Sequence, residues 1–499
     1  MDLNRQRLVS FGSAGGKPPG FIVHTLHLAD PPADPIALLA QPELAGGPQF
    51  YWSAPDTGEI IAATGAVYQT TAHGPGRLAA IRDQIAVQVA DPGVDAGGDL
   101  SAVPVGDVRW MGGFAFDDTP GGADPVPGAD RWQGFPSAWF VLPAITLIRD
   151  ATGTRLVLVA RDVVNEAANS TGAAHLAERG EALAARLAES GRRASSQGQR
   201  GGPKEAATDP RNLVPALLAH VHLSDAERTA LAQRIEAVLA AIDRGEVVKV
   251  VMATAHQLSA SSPLDPVYLL RALGHAQPDT FRFLVSPGPG LAMSGATPER
   301  LVRAAAGRLT TMALAGSARR DPDPTVDREL GRALLASAKD RSEHALVVDA
   351  IRAALNDLPL EVPAAPRLRR LARIQHLETP IEARLAAGAD VLDFAQRLHP
   401  TPALGGTPRE RALALIRALE GDRRGWYGGG VGWLDGRGNG DLAVAIRSLL
   451  VRGTDVTAFA GAGIVAGSDP AKEVAEIELK LRAVLDCLPA DLVRSRAGD

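Results

Sequence analysis

The sequence holds a single cysteine, Cys487, among 499 residues. An internal disulfide is therefore excluded, and so is a zinc site built on cysteine ligands. No uncharged apolar run approaches the roughly 18 residues that a membrane-spanning helix needs. The opening stretch MDLNRQRLVSFGSAGG likewise has no apolar segment of signal-peptide length. A soluble, cytoplasmic protein with no membrane partner is expected. Runs of like charge are missing too. Lys and Arg are scattered among acids, and the formal net charge is −5. No stripe forms that would follow a polyanion, so nucleic acid is not an expected partner. No internal repeat is visible. What remains is a globular composition, 45% hydrophobic and 22% charged, in a chain long enough for a large core.

One break in composition stands out. Residues 190–210, SGRRASSQGQRGGPKEAATDP, are rich in Gly, Ser and Gln and show no apolar periodicity. They divide the chain into an N-terminal α+β part (1–189), a linker or surface loop (190–212) and a C-terminal part (213–499). Strand-like runs such as FIVHTLHL, WFVLPAITLI and TRLVLVARD, with GGFAF, precede the break. After it, LSDAERTALAQRIEAVLAAIDRGE is helical, with Ser224 placed to cap and Gly245 to stop. VVKVVMAT reads as a strand, residues 281–317 as short strands separated by turns, and residues 326–356 as one long helix. Strands return at GGGVGWL, DLAVAIRSLLV and VTAFAGAGIV before a final helix from Asp469. Hairpin-like strands mixed with long helices predict an α+β fold with antiparallel sheets.

Several residues could carry chemistry. In VVKVVMAT, Val247, Lys249, Val251 and Ala253 share one face of the strand. Burial disfavours the charged form of an amine, and a neutral amine can act as a base. The alternative is an edge-strand lysine facing water. Glu343 has Leu346, Val347, Ala350 and Ile351 on its helical stripe, an expensive place for an unpaired charge. Glu476 repeats the pattern, with Glu473 one turn earlier. Two inward carboxylates on separate helices suit a hard cation with oxygen ligands. The alternative for Glu476 is a simple i,i+4 pair with Lys480. Glu299, in SGATPER, is either a proton donor or an exposed loop acid. Arg447 has small neighbours on its face of DLAVAIRSLLV, which leaves room for a planar carboxylate.

Two glycine-rich stretches remain. GAGIVA (461–466) formally matches a dinucleotide fingerprint, but no acid ends a second strand about 20 residues later. Its glycines instead let backbone approach an anion beside the helix that Asp469 caps and Pro470 opens. HPTPALGG (399–406) sets one histidine among prolines and glycines, which stiffen the loop around the imidazole.

Taken in order, KVVMAT, SGATPERLV, ALAGSARR, SAKDRSEHALVVD, LHPTPALGG, RGWYGGGVGW, VAIRSLLV and GAGIVAGSDPAKEVAEIELK closely resemble the chorismate-utilising enzymes, and within them the isochorismate synthases. The resemblance runs from about Leu213 to Leu488 and is loose before that, with GGFAF the best match. It implies two large, mainly antiparallel β-sheets packed face to face with helices outside, the site between them, in a monomer. It also implies chorismate as substrate and Mg²⁺ as cofactor. The lysine matching Lys249 activates water for attack at C2, and the acid matching Glu299 protonates the departing C4 hydroxyl. Glu343 and Glu476 match the Mg²⁺ ligands, with Glu473 assisting through water and Asp340 nearby. Tyr427, Arg447 and the backbone at Gly461 match binders of the enolpyruvyl carboxylate. Lys480 and the turn at Gly316 and Ser317 match groups near the ring carboxylate. By the same resemblance His399 lines the ring pocket, and the loop holds His399 and Ala403 in place.

Relatives with other chemistry differ at identifiable positions. Anthranilate and aminodeoxychorismate synthases add ammonia and typically carry glutamine where Lys249 stands; the latter place a lysine where Ala315 stands. Salicylate synthases share the lysine and eliminate pyruvate, usually with threonine in place of Ala403. A silent chorismate-binding regulator would have lost the lysine, the acid or a metal carboxylate, and none is lost. An arginine that the family commonly carries just after the lysine block is replaced by Ala253 and Thr254. The isochorismate would feed menaquinone, a catecholate siderophore or salicylate.

Overall fold

The computed structural model describes residues 7–10, 21–32, 34–89, 107–117, 129–161, 166–197, 223–421, 423–488 and 493–495. Within these residues all strand pairing in the two sheets is antiparallel. Thirteen strands form the larger sheet and nine the smaller. Both sheets draw strands from both sides of residues 198–212, which lie outside the described residues. In the larger sheet, Gln49–Ser53 pairs with Phe281–Gly288, and in the smaller, Trp110–Phe114 pairs with Gly430–Leu434.

The sheets pack face to face through one continuous apolar core. Period-2 alternation turns Phe50, Trp52, Phe281 and Phe283 of the larger sheet toward Met111, Trp139 and Val141 of the smaller, all almost fully buried. The Phe50 and Trp139 rings meet across the interface at 5.3 Å. A second core of Leu26, Leu156, Leu158, Leu183 and Leu187 lies under the helix Glu166–Gln197, on the other face of the larger sheet. Helices therefore cover the outside, as the resemblance implies. Among the described residues no helix is long and apolar enough to cross a membrane.

Local signals explain several element ends. Ser224 and Glu227 form a reciprocal capping box on the helix Asp225–Asp243, and Gly245 follows with a φ of 72°. Asp469 accepts from Lys472 N at the head of the helix Pro470–Leu485. Some expectations need correction. The helix Glu166–Gln197 runs on through residues 190–197, where the linker was expected to begin. The single helix expected over 326–356 is two, Pro324–Ala336 and Ala338–Ala354, because Ser337 is extended and its side chain caps Asp340 N. GAGIV, by contrast, ends the strand Asp455–Val465, as expected for VTAFAGAGIV.

The most consequential difference concerns DLAVAIRSLLV. It is two strands, Gly440–Val444 in the smaller sheet and Ser448–Arg452 in the larger. Arg447 sits at the crossover with a φ of 51°, a left-handed conformation uncommon outside glycine. Pro298 and Glu299 form a second crossover, from Leu291–Thr297 to Arg300–Ala305. The crossovers are tied together: Val444 N donates to Glu299 O at 3.0 Å and Ala296 N to Arg447 O at 3.1 Å.

Candidate active site

The two crossovers open onto a cleft. Its walls are the start of the strand Lys249–Ala260, the end of Asp455–Val465, the strand Arg308–Arg319 and the helices Ala338–Ala354 and Pro470–Leu485. Lys249, Glu299, Gly316, Ser317, Glu343, Ala403, Tyr427, Arg447, Gly461, Glu473, Glu476 and Lys480 all line it, with Asp340. Of the site residues expected from the sequence, His399 alone is not among those lining it.

Lys249 is only 1% exposed, so the edge-strand alternative is excluded. Its Nζ donates to Glu343 Oε1 at 2.8 Å. Val251 N donates to Gly405 O at 2.9 Å, which ties the loop 399–406 to the lysine strand. Where relatives carry an arginine after the lysine block, the strand is held from outside: Glu420 accepts from Ala253 N at 2.8 Å. Arg424 pairs with Glu420 and donates to Val251 O and Leu404 O, each at 2.8 Å.

Glu299 is buried as well, and its carboxyl is pushed up to about 8 by desolvation, against the pull of Lys249 and Lys480. That places its proton where a donor at neutral pH needs it. Arg447 is half-buried, desolvation lowers its pKa against the charge of Tyr427 and Glu476, and no carboxylate forms an ion pair with its guanidinium among the described residues. The Tyr427 hydroxyl is pushed up to about 12, chiefly by burial, and so remains protonated. A protonated phenol beside an unpaired guanidinium is a carboxylate receptor.

The acids gather on two helices. Lys480 donates to Glu476 at 2.7 Å, so the i,i+4 pair is present in the cleft itself, and also to Gly461 O at 2.9 Å. Burial works against ionisation of Glu476, but Lys480, His376 and Ser317 together hold its pKa below the usual value. Lys339 donates to Glu473 at 2.8 Å. Asp340 is raised by burial and then by the negative charge of Glu343 and Glu476. Such a concentration of carboxylate oxygens fits the donor chemistry of Mg²⁺. In this arrangement lysines hold the acids apart, and no three metal-ligating side chains come together among the described residues.

His376 and Lys339 were missed in the sequence. His376, on the strand Ile374–Arg384, is the histidine of the cleft. Its Nδ1 lies 3.1 Å from Gly316 O, an acceptor, so Nδ1 carries the proton and donates; Ser317 Oγ is equally near. Burial first, then Arg447 and Lys480, push the imidazole down to about 3, leaving it neutral with an unpartnered Nε2. The bulge that aims Gly316 needs glycine: φ is 75° and the register shifts between Ala315 and Ser317. The visible signal for His376 was IQHLETP, a lone histidine within a strand-like run.

His399 is a correction. Its Nε2 donates to Phe116 O at 2.9 Å, and its ring packs edge-on to Phe114 and Phe116 with centroids 5.0 and 5.9 Å away. It lines a different cavity, while Ala403 and Leu404, farther along the same loop, reach the cleft. One turn of loop separates these two faces, and sequence spacing does not reveal which residue turns to which side.

Fold and cleft together define a chorismate-utilising architecture, and comparison with known proteins agrees. Residues 17–489 match the family described as chorismate binding enzyme, and the chain belongs to that family. It is 38% identical over 471 residues to the salicylate biosynthesis isochorismate synthase of Pseudomonas aeruginosa, covering 92% of this chain and 88% of that protein. It is 39% identical over 262 residues to the isochorismate synthase EntC of Escherichia coli, covering 52% of this chain and 67% of that one. Among solved structures, the menaquinone-specific isochorismate synthase MenF of Escherichia coli superimposes with a TM-score of 0.69 at 26% identity, covering 95% of this chain and 97% of that one.

Proposed function

We propose that the chain is an isochorismate synthase, an isomerase that adds water at C2 of chorismate and releases the C4 hydroxyl. The observation that carries this reading is a lysine and an acid of suitable protonation buried in one cleft: Lys249, 1% exposed, and Glu299, whose carboxyl titrates near 8. Lys249 is the base: its Nζ takes a proton from water as the water oxygen bonds to C2. The ring double bonds shift, the C4–O bond breaks, and Glu299 delivers its proton to the leaving hydroxyl, which departs as water. Transfer of the proton from Lys249 back to Glu299 resets the site. Arg447 and Tyr427 receive the enolpyruvyl carboxylate, and the neutral His376 offers Nε2 to the ring side of the pocket.

Glu343, Glu476 and Glu473 are proposed to hold Mg²⁺, which when bound neutralises charge at the ring carboxylate. The lysines that now occupy these acids must yield for that to happen. A cytoplasmic monomer completes the reading. A lysine in place of the glutamine typical of ammonia-using relatives argues against anthranilate formation. Incubation with chorismate and Mg²⁺ at neutral pH, followed by chromatography, tests the proposal: isochorismate in equilibrium with chorismate is expected. Unchanged chorismate, or anthranilate when ammonium is supplied, refutes it.

A further inference from the structure

Three lysines occupy the acids of the cleft, and they are not held alike. Lys249 is buried on its strand and donates to Glu343 at 2.8 Å. Lys480 donates to Glu476 at 2.7 Å and is tied a second time, to Gly461 O at 2.9 Å. Lys339 Nζ makes one hydrogen bond among the described residues, to Glu473 at 2.8 Å, and its side chain is 43% exposed. Of the three, it alone can leave for solvent by turning its own stem.

The place it holds is that of a cation. Glu473 is 3% exposed, and a carboxylate so buried needs a positive neighbour. Glu343 and Asp340 add their negative charge around the same ammonium. One monovalent group thus answers to three of the carboxylates that line the cleft. Its own helix gives it no support. Lys339 is the second residue of the helix Ala338–Ala354, where the macrodipole favours an acid such as Asp340 and opposes a lysine. Its placement therefore serves Glu473 rather than the helix that carries it.

We propose that Lys339 is a resident counter-ion of the cation site: its ammonium neutralises Glu473 when no divalent cation is bound, and it is displaced to solvent when a hard divalent cation binds. Withdrawing the ammonium with no replacement would strand a buried carboxylate, so its departure and the arrival of the cation are coupled. The cleft thereby keeps its acids neutralised in both states, and it binds the cation less tightly than the carboxylates alone would. The inference rests on the reading of Glu343, Glu473 and Glu476 as cation ligands, and not on which product is formed.

Calorimetric titration of the full chain with Mg²⁺ at neutral pH, without chorismate, tests it. Lys339→Gln removes the charge and keeps most of the stem; it binds Mg²⁺ about tenfold or more tightly than wild type. Lys339→Arg keeps the charge and stays within a few-fold of wild type. Melting curves give a second readout that a merely structural lysine would not move. Without Mg²⁺, Lys339→Gln melts below wild type because Glu473 has lost its partner, and in saturating Mg²⁺ the gap closes. Equal or weaker Mg²⁺ binding by Lys339→Gln, or a melting gap that Mg²⁺ leaves unchanged, overturns the proposal and leaves the cation site standing. Failure of both wild type and Lys339→Gln to bind Mg²⁺ refutes the cation site and the counter-ion with it.

Discussion

Lys249 Nζ and Glu343 Oε1 lie 2.8 Å apart, joining a strand of the larger sheet to a helix packed on the smaller. The proposed base and a proposed cation ligand thus hold each other. Glu343 cannot offer the same oxygen to both, so the two roles are coupled. Lys249→Ala should lower kcat by about 10²–10⁴, the usual range for loss of a general base, while chorismate still binds through Arg447. Glu343→Gln should weaken Mg²⁺ binding, measured by calorimetry, without unfolding the chain. Turnover near the wild-type rate in Lys249→Ala, or full activity in excess chelator, would remove these assignments.

Glu299 yields a prediction with a definite sign. Its carboxyl pKa is raised from 4.5 to about 8 in the folded protein, chiefly by desolvation. Between these values the folded state binds a proton that the unfolded state has released, so this group's contribution to stability is full below about 4.5 and is lost as pH rises toward 8. Glu299→Gln, which cannot ionise, should flatten that part of the Tm-versus-pH curve and melt higher than wild type at pH 8. Activity of the wild type should also fall as pH rises through about 8, as the donor loses its proton. A melting curve for Glu299→Gln parallel to wild type across this window would contradict the buried-acid assignment.

Gly463 faces the same pair of residues from the neighbouring strand. A Cβ there would lie 2.5 Å from Glu343 Oε1 and 2.8 Å from Lys249 Cε. Gly463→Ala should therefore displace the base by a fraction of an ångström to an ångström, with a fall in kcat of up to about 10²-fold and little change in the melting profile. Wild-type turnover in this variant would show that Lys249 has room to spare.

Much of this site was legible because its chemistry sits on regular elements. Period 2 put Lys249 on an inner face, and the 3.6-residue stripe put Glu343 and Glu476 inward. Crossovers are different. Glu299 owes its burial, and Arg447 its place in the cleft, to strands passing from one sheet to the other, a fact of long-range pairing that no local pattern encodes, so Glu299 also read as an exposed loop acid and Arg447 as a strand residue. His376 carried no periodic signal beyond its strand, and Lys339 reads as an ordinary helix-surface lysine. His399 was misplaced because a stiffened loop has two faces, and which one meets the cleft depends on Phe116, 283 residues away in the chain.

Arg447 tests the carboxylate receptor. Arg447 is half-buried and its guanidinium forms no ion pair with a carboxylate among the described residues, so substrate is the charge it awaits. Arg447→Ala removes charge-assisted hydrogen bonds of about 1.5–3 kcal/mol, and KM for chorismate should rise about 10- to 100-fold. Because the left-handed backbone at this crossover disfavours a Cβ in either residue, Arg447→Gly should show the same loss of affinity with equal or better stability. An unchanged KM in both variants would place the enolpyruvyl carboxylate elsewhere.

Where the reaction stops depends on the loop 399–406. Release of pyruvate from isochorismate requires a further proton movement while the pocket holds the enolpyruvyl side chain in a reactive pose, and such a step depends on fine positioning. Ala403 lines the cleft, where lyase-competent relatives usually carry threonine, so one hydroxyl and a little volume are missing from this wall. The loop cannot easily compensate, because Leu404 O is fixed by Arg424 and Gly405 O by Val251 N. Chorismate with Mg²⁺ should therefore equilibrate with isochorismate and yield little salicylate. Ala403→Thr should raise the salicylate share, modestly, while the isochorismate rate stays within a few-fold of wild type. Stoichiometric salicylate and pyruvate from the unaltered protein, formed at its turnover rate rather than slowly afterwards, would reassign it as a salicylate synthase.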